Sequence, residues 1–326
     1  MIRQPAPEPG QPALERGATT AMQIRAAKMH LALRGLREGW SIFVESRIGV
    51  IGLAVIVIFA LMAISHPILM ATIWDDATYN PVTGYAFDQT EQPASPSWAH
   101  PLGTDPLGRD VLSQLLSSTR SEFILGLVAA IVTVTIATTV GAVAAYYGGI
   151  VDSFFMRLAD LVVALPGISL LIVLSALFEL NLFFLALILG ILGGFGGTSI
   201  VLKSQALGIS VKPYIEAARV AGGGRFHIIL VHIIPNLLPL SFLYMMFTVT
   251  AAIFSEAVLS FFGLLNIRMS WGIMIHTASQ GGYLLGGVRY WWLLVPAGGS
   301  ITLLCSTFYL VGRALDEVVN PRLRRR

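Results

Sequence analysis

Six long apolar runs alternate with polar segments along the chain. Each run is free of charged side chains and approaches or exceeds the roughly 20 residues that a helix needs to cross a bilayer core. The pattern predicts an all-α polytopic membrane protein with six transmembrane helices; the first and third runs are short but can be extended at their ends. The runs are Ile48–Ser65, Phe123–Tyr147, Leu161–Phe178, Leu180–Leu202, Ile233–Ser255 and Tyr290–Gly312.

Basic residues are distributed unevenly between the polar segments. Residues 1–47 carry seven, whereas residues 67–117 carry one, Arg109, beside six acidic residues. Because cytoplasmic loops are enriched in Lys and Arg, this bias predicts a cytoplasmic N-terminus and an external loop at 67–117. Six crossings then return the C-terminus to the cytoplasm. The four basic residues within 203–225 place that segment in the cytoplasm as well.

These boundaries predict five parts of the chain. The first contains a polar tail and an amphipathic helix, Ile24–Ser46, that is expected to lie along the membrane surface. The five parts are residues 1–46, the tail and amphipathic helix; 47–66, the first transmembrane helix; 67–117, an external loop with an interfacial helix; 118–316, a five-helix core with a cytoplasmic loop at 206–236; and 317–326, a basic cytoplasmic tail.

Composition agrees with a chain that lies mostly in lipid. Apolar residues make up 55% of the sequence and charged residues 12%, about half the charged fraction of an average soluble domain. Mean hydropathy is +0.75. No tract of Lys and Arg is interleaved with aromatic residues, so nucleic acid is not an expected partner. The single cysteine, Cys305, lies in an apolar run and is expected to be a small core residue.

Sequence motifs for catalysis, metals and cofactors are absent. The chain contains no H-E-x-x-H, C-x-x-C, G-x-S-x-G or G-x-x-x-x-G-K-[ST] pattern. His227 and His232 are five residues apart, a spacing that does not place them on one helix face. We therefore predict no catalytic residue, no cofactor and no metal site in this chain.

Acidic residues near the apolar runs bear on the transport mechanism. Glu179 and Glu256 fall near the outer ends of their predicted spans and are expected to be solvated or hydrogen-bonded carboxylates. No acidic residue, Lys or Arg is predicted near a span centre. This weakens a proton- or sodium-coupled carrier, which usually needs such a group near the midplane.

The external segment HPLGTDPLGRDVLSQLL, residues 100–116, resembles the start of a capped helix. Thr104 or Asp105 followed by Pro106 fits an N-cap and a proline at the first helical position. Asp105, Arg109 and Asp110 are then explained by a helix cap and a local ion pair rather than by catalysis.

The fourth run contains five glycines between residues 190 and 197. Small residues at this density allow two helix backbones to approach closely within a bundle.

The predicted cytoplasmic loop contains YIEAARVAGGGRFHIILVHIIPNLLPL, residues 214–240. Pro213 favours the start of a short helix with Glu216 in its first turn, and Gly222 fits a left-handed position after its end. A second helix is expected to begin at Arg225. Ala217, Ala218 and Ala221 give a small, smooth surface that suits insertion into a groove on another protein. A helix pair that packs only against its own bundle is the alternative.

At this point the sequence resembles a known family. Glu216-Ala217-Ala218, three residues, Gly222 and a later Ile234-Pro235 resemble the EAA loop of ATP-binding-cassette importer permeases. His232 with the following Ile, Ile, Pro and Asn is similar to the form found in the dipeptide/oligopeptide/nickel subfamily, C-type subunit. Other stretches that resemble the subfamily are HPLGTDPLGRDVLSQLL, AAYYGGIVDSFFMRLADLVVALPG, EAVLSFFGLL, SWGIMI and RALDEVVNPRLR.

The resemblance implies a type I importer permease fold and a set of partners. It implies a homologous second permease that completes the translocation path, two cytoplasmic ATPase subunits and an extracytoplasmic substrate-binding protein, all assembled in the cell membrane. Glu216, Ala217, Ala218, Arg219 and Gly222 would form the ATPase-coupling surface. ATP hydrolysis would belong to the partners.

The substrate and two other functional classes stay open on the sequence alone. Leu265 stands where the family often has Gly, and Asn266-Ile267-Arg268 replaces a Pro-rich turn. The family transports dipeptides, oligopeptides, glutathione, nickel chelates and some glycosides. The alternatives are an ATP-independent secondary carrier or channel and a structural membrane scaffold.

Overall fold

A computed structural model describes residue 37 and residues 39–319 of the chain. The predicted polar tail and most of both the predicted amphipathic helix and the predicted basic tail lie outside these residues. The chain divides into two units, Met1–Arg47 and Ile48–Arg326. In the first unit, residues 39–45 are helical.

Helices and irregular connections make up the described part, with no strand ladder between residues 39 and 319. The all-α prediction is confirmed. The helices are α1 (Arg47–Thr72), α2 (Val111–Tyr147), α3 (Gly149–Ala164), α4 (Gly167–Leu177), α5 (Leu182–Phe195), α6 (Gly197–Ser210), α7 (Pro213–Val220), α8 (Ile234–Phe261), α9 (Trp271–Gln280) and α10 (Trp291–Val319), with single turns at Asp76–Tyr79 and Arg225–His227.

Four described segments are each long and apolar enough to cross a membrane. They are α1, α2, the continuous helix Arg225–Phe261 and the segment Tyr283–Glu317, which is kinked at Gly287. Two bent pairs, α3 with α4 and α5 with α6, give up to six spans if each pair counts as one. The predicted count of six therefore holds only with these two broken spans.

The third apolar run does not form one helix. It straddles a break at Leu165, where the chain turns through 83° between α3 and α4. Leu165 has extended backbone angles, φ −82° and ψ 130°, because the ring of the following Pro166 disfavours a helical conformation in the preceding residue. The prediction of one unbroken helix over Leu161–Phe178 was wrong for this reason.

Three of the five glycines of the fourth run, Gly190, Gly193 and Gly194, pack against α2, which fits the predicted close approach of helices. A Cβ added at Gly190 would lie 2.6 Å from the Cβ of Val132, and one at Gly194 would lie 2.7 Å from the Cβ of Ile136. The absence of side chains thus allows close contact between α5 and α2. The run bends by 40° at Gly196, which separates α5 from α6.

The start of α2 differs from the prediction. Its N-cap is Asp110, whose carboxylate accepts a hydrogen bond from the backbone N–H of Ser113 at 2.6 Å. Asp105 and Pro106 instead belong to a tight turn, in which Asp105 accepts backbone N–H groups from Leu107 and Arg109 at 2.9 Å. The predicted cap and ion pair both exist, but the cap is Asp110 and the ion pair joins Asp105 to Arg109.

Candidate functional site

The short helix α7 is attached to the membrane core through one face. Pro213 is its first residue, as the sequence predicts, and Ile215 is completely buried. Ile215 packs in an apolar cluster with α2, α6 and the helix that leads into α8, and Ala218 packs at its edge. The buried members of this cluster are Ala142, Ala145, Ala206, Ile209, Ile215, Ile228, Ile229, Ile233 and Leu237.

The opposite face of α7 is exposed. Glu216, Ala217 and Arg219 all lie at the surface, and Val220 is 90% exposed. Ala218 is half-buried, so the exposed alanine surface is formed mainly by Ala217 and Ala221. The outer surface of α7 therefore presents an open apolar side chain, Val220, beside one acidic and one basic residue.

The turn after α7 depends on glycine. Gly222 has a φ of +86°, in the left-handed region that the sequence predicts for this position. The backbone N–H of Gly222 donates to the carbonyl of Arg219 at 3.0 Å, and that of Gly223 donates to the carbonyl of Ala218 at 2.9 Å. Gly224 caps the next helical turn at Arg225, so the predicted helix–turn–helix is confirmed.

Two arginines hold this segment against the cytoplasmic end predicted for α2. The guanidinium of Arg219 lies 5.1 Å from the ring centre of Tyr146, and that of Arg225 lies 5.8 Å from the ring centre of Tyr147. Cations over aromatic faces are attracted by the ring quadrupole. Each end of the turn therefore contacts one of two adjacent tyrosines at the end of α2.

The helical segment after the turn leads without a break into the membrane. A π-helical stretch, Ile228–Ile233, joins Arg225–His227 to α8. Pro235 and Pro239 follow in α8 and lack the N–H groups that would complete a regular hydrogen-bond ladder. The segment from Arg225 to Phe261 is nevertheless one continuous helix of 37 residues.

An open cavity of about 470 Å³ lies between α4, α5 and α8. Leu171, Leu189 and Phe247 give it apolar walls, and Thr198, Tyr244, Thr248 and Ser255 contribute hydroxyl groups. No charged side chain of the described residues lines this cavity, so a solute inside it would meet apolar walls and a few hydroxyl groups.

Glu256 is not at a solvated end of its span. It is fully buried in α8, and one of its carboxylate oxygens accepts a hydrogen bond from the hydroxyl of Ser260 at 2.5 Å. The predicted hydrogen bond is confirmed, whereas the solvated position is wrong. Glu179 is exposed, as expected for the end of a span.

Glu122 was missed because it stands one residue before the predicted second span. It is fully buried in α2, which begins twelve residues earlier than that apolar run suggests. A sequence signal did exist: Gln114, Ser118 and Glu122 recur every four residues, which places three polar side chains on one helix face.

Comparison with known proteins identifies the class of membrane protein. Residues 137–325 match the family model "Binding-protein-dependent transport system inner membrane component". The chain is 31% identical over 292 residues to the dipeptide transport system permease protein DppC of Bacillus subtilis, covering 89% of this chain and 86% of that protein. It is 32% identical over 290 residues to the oligopeptide transport system permease protein OppC of the same organism, covering 87% and 88%.

A third relative agrees with these two. The oligopeptide transport system permease protein OppC of Haemophilus influenzae is 35% identical over 228 residues, covering 69% of this chain and 71% of that protein. Such permeases are non-catalytic and work with a partnering permease, ATPase subunits and a substrate-binding protein. The resemblance seen in the sequence is confirmed, and an ATP-independent carrier is not supported. The chain therefore belongs to the family of inner membrane components of binding-protein-dependent transport systems, as a permease subunit of an ATP-driven importer.

Proposed function

We propose that this permease takes up peptides or related small solutes and receives the energy of ATP hydrolysis through α7 and the turn at Gly222. The observation that carries the coupling role is a short helix anchored by Ile215 on one face and open on the other. The peptide class is supported by the relatives, whose names describe dipeptide and oligopeptide transport.

The coupling surface consists of five residues with separate roles. Glu216 and Arg219 offer opposite charges to an ATPase groove, and Ala217 allows close approach of the two surfaces. Ala218 seats the helix on its own membrane core, and Gly222 forms the turn. The exposed side chain of Val220 adds apolar area, a feature typical of protein interfaces.

The assembly we propose contains two different permeases, two ATPase subunits and one external binding protein. Both chain termini and α7 lie in the cytoplasm, and the loop at 67–117 lies outside. The five predicted parts of the chain fit this arrangement, with the coupling loop at 206–236. Closure of the ATPase pair displaces α7, and the continuous helix Arg225–Phe261 carries that displacement to the wall of the 470 Å³ cavity.

Cysteine cross-linking in the complete transporter tests the coupling role. In a Cys305→Ala background, Ala217→Cys is expected to form a disulfide with a cysteine introduced along the ATPase groove, with a yield that changes when ATP binds. Thr83→Cys, exposed in the loop at 67–117, is the matched control and should give no such product. Absence of cross-linking across a full scan of the groove would contradict the docking role.

The same variants test the orientation. A membrane-impermeant thiol reagent added to intact cells should label Thr83→Cys and reach Ala217→Cys only after permeabilisation. The reverse pattern would refute the proposed topology. Uptake of a labelled dipeptide and a labelled longer peptide, lost on deletion of the chain and restored by its expression, tests the substrate class separately.

A further inference from the structure

Two carboxyl groups lie side by side in the interior of the helix bundle. Glu122 on α2 and Glu256 on α8 are both 0% exposed, and their carboxyl groups lie within interaction distance of each other. Glu256 accepts a hydrogen bond from Ser260, and the hydroxyl of Ser270 also lies beside it. Both oxygens of Glu122 and the second oxygen of Glu256 have no hydrogen-bond partner among the described residues.

No basic side chain balances this pair within the described residues. The four ion pairs found there involve His100, Arg109 and Lys203, and none includes Glu122 or Glu256. The other titratable group that faces the pair is the thiol of Cys305 on α10. On α9, His276 bonds to the backbone carbonyl of Phe261 at 2.7 Å instead.

Two carboxylates that are both ionised and buried without a counter-charge are strongly disfavoured. Desolvation destabilises the charged form, so such groups bind a proton or another cation instead. Mutual repulsion between the two groups adds to that cost. The site therefore requires a positive charge that the side chains of the described residues do not supply.

Close packing around the pair restricts what can enter. A Cβ at Gly126, one turn along α2 from Glu122, would lie 2.7 Å from a methyl group of Val249 on α8. A Cβ at Gly272 on α9 would lie 2.6 Å from the Cβ of Ser260. Helices packed this closely favour a small counter-charge over a large organic cation.

A line of buried polar side chains leads from the loop at 67–117 toward the pair. Arg109 and Asp105 form an ion pair beside the start of α2, and Gln114 donates to Asp105 at 2.8 Å. Gln114, Ser118 and Glu122 follow at intervals of four residues, about 6 Å each along a helix. Ser118 is fully buried, and the side-chain oxygen of Gln114 has no partner.

We propose that Glu122 and Glu256 bind a monovalent cation, either a proton or a sodium ion, at the junction of α2, α8 and α9. The free carboxyl oxygens and the hydroxyl of Ser260 are hard oxygen ligands, which suit both cations. The cation enters along the polar line from the loop at 67–117. This site is separate from the coupling surface and does not depend on how α7 contacts an ATPase.

Cation binding at this junction is linked to the conformation of the transporter. Glu122 and Glu256 lie on different helices, and Glu256 lies near the end of the continuous helix that starts at Arg225. A shift of α8 along α2 changes the distance between the two carboxyl groups. If transport shifts α8 in this way, cation affinity differs between the two conformations, and the cation in turn biases their populations.

The experiment uses the complete transporter in lipid nanodiscs, as wild type, as E122Q/E256Q and as the matched control E179Q. Infrared difference spectra between acidic and alkaline buffers report the C=O stretch of a protonated carboxylic acid in apolar surroundings. Thermal unfolding is measured in parallel in sodium chloride and in choline chloride. Glutamine keeps the size of glutamate and removes its charge, so the double variant is expected to fold.

Two results support the proposal and identify the cation. A buried carboxylic acid band that is present in wild type and E179Q but lost in E122Q/E256Q identifies a proton. Sodium is identified by a different pair of results. The band is missing, and the unfolding temperature rises with the logarithm of sodium concentration only when both glutamates are present. If wild type shows neither the band nor a sodium-dependent shift beyond that of E122Q/E256Q, the proposal is overturned.

Discussion

Replacement of Gly222 by aspartate is the sharpest test of energy coupling through α7. Gly222 has a φ of +86°, and a Cβ added there meets no atom within 4 Å. The substitution therefore causes backbone strain but no clash. An L-residue held in this region costs about 1–3 kcal/mol, and Asp is among the residues that tolerate it better. Because a folded domain has about 5–15 kcal/mol of stability, the variant should fold and insert.

The effect on docking is expected to be larger than the effect on folding. Aspartate places a carboxylate on the exposed turn between α7 and Arg225. A charge left unpaired in a docked interface costs about 2–5 kcal/mol. Since 1.4 kcal/mol is about tenfold in affinity, docking should weaken by at least about tenfold. ATP hydrolysis should then no longer drive uptake.

The assay compares uptake of a labelled dipeptide by cells with ATP hydrolysis by the purified transporter, at matched amounts of permease. Gly222→Ala adds the strain without the charge and should reduce uptake less. Gly224→Ala is the control without strain, because Gly224 has a φ of −65° and open space around its Cβ position. Normal uptake by a well-expressed Gly222→Asp variant would refute the coupling role.

Three further outcomes follow from the structure. Glu216→Ala should reduce uptake only mildly, because a single exposed ion pair contributes little; a complete loss would show that Glu216 does more than form such a pair. Gly190→Val should lower the unfolding temperature of the purified protein, since its Cβ meets Val132 at 2.6 Å and overpacking costs about 1–3 kcal/mol. Burial raises the pKa of Asp110, although hydrogen bonds from Ser113 and His100 oppose the shift. Because this pKa lies above its unfolded value, the associated stability is present at acidic pH and is lost as the pH rises through the folded-state pKa. Asp110→Asn keeps a capping side chain and should remove this loss of stability from the profile of stability against pH. An unchanged profile would contradict the role assigned to Asp110.

Local sequence signals predicted the coupling segment well. Pro213 at the start of α7, the left-handed Gly222 and the new helix at Arg225 all follow from backbone preferences of single residues. Such preferences act over a few bonds and need no tertiary context. The glycines of the fourth run were equally informative, because only close helix contact favours so many small residues in an apolar segment.

Predictions that required long-range contacts were less successful. The cap of α2 was assigned near Asp105, because both Asp105 and Asp110 are chemically suitable caps. The turn that binds the side chain of Asp105 to two backbone N–H groups decided between them. The predicted run Leu161–Phe178 overlooked the local effect of Pro166 on Leu165, whereas the angle of 83° depends on how α3 and α4 pack.

The sequence by itself determined the class of this protein: the apolar runs are set by the thickness of a bilayer, and the EAA-type loop lies in a single stretch of chain. Tertiary structure alone decided which polar groups meet inside the bundle. Glu122 and Glu256 are 134 positions apart in the sequence, and only the packing of α2 against α8 brings them together. Hydrophobic periodicity reports whether a helix face is buried, but it does not report which side chain of another helix lies opposite.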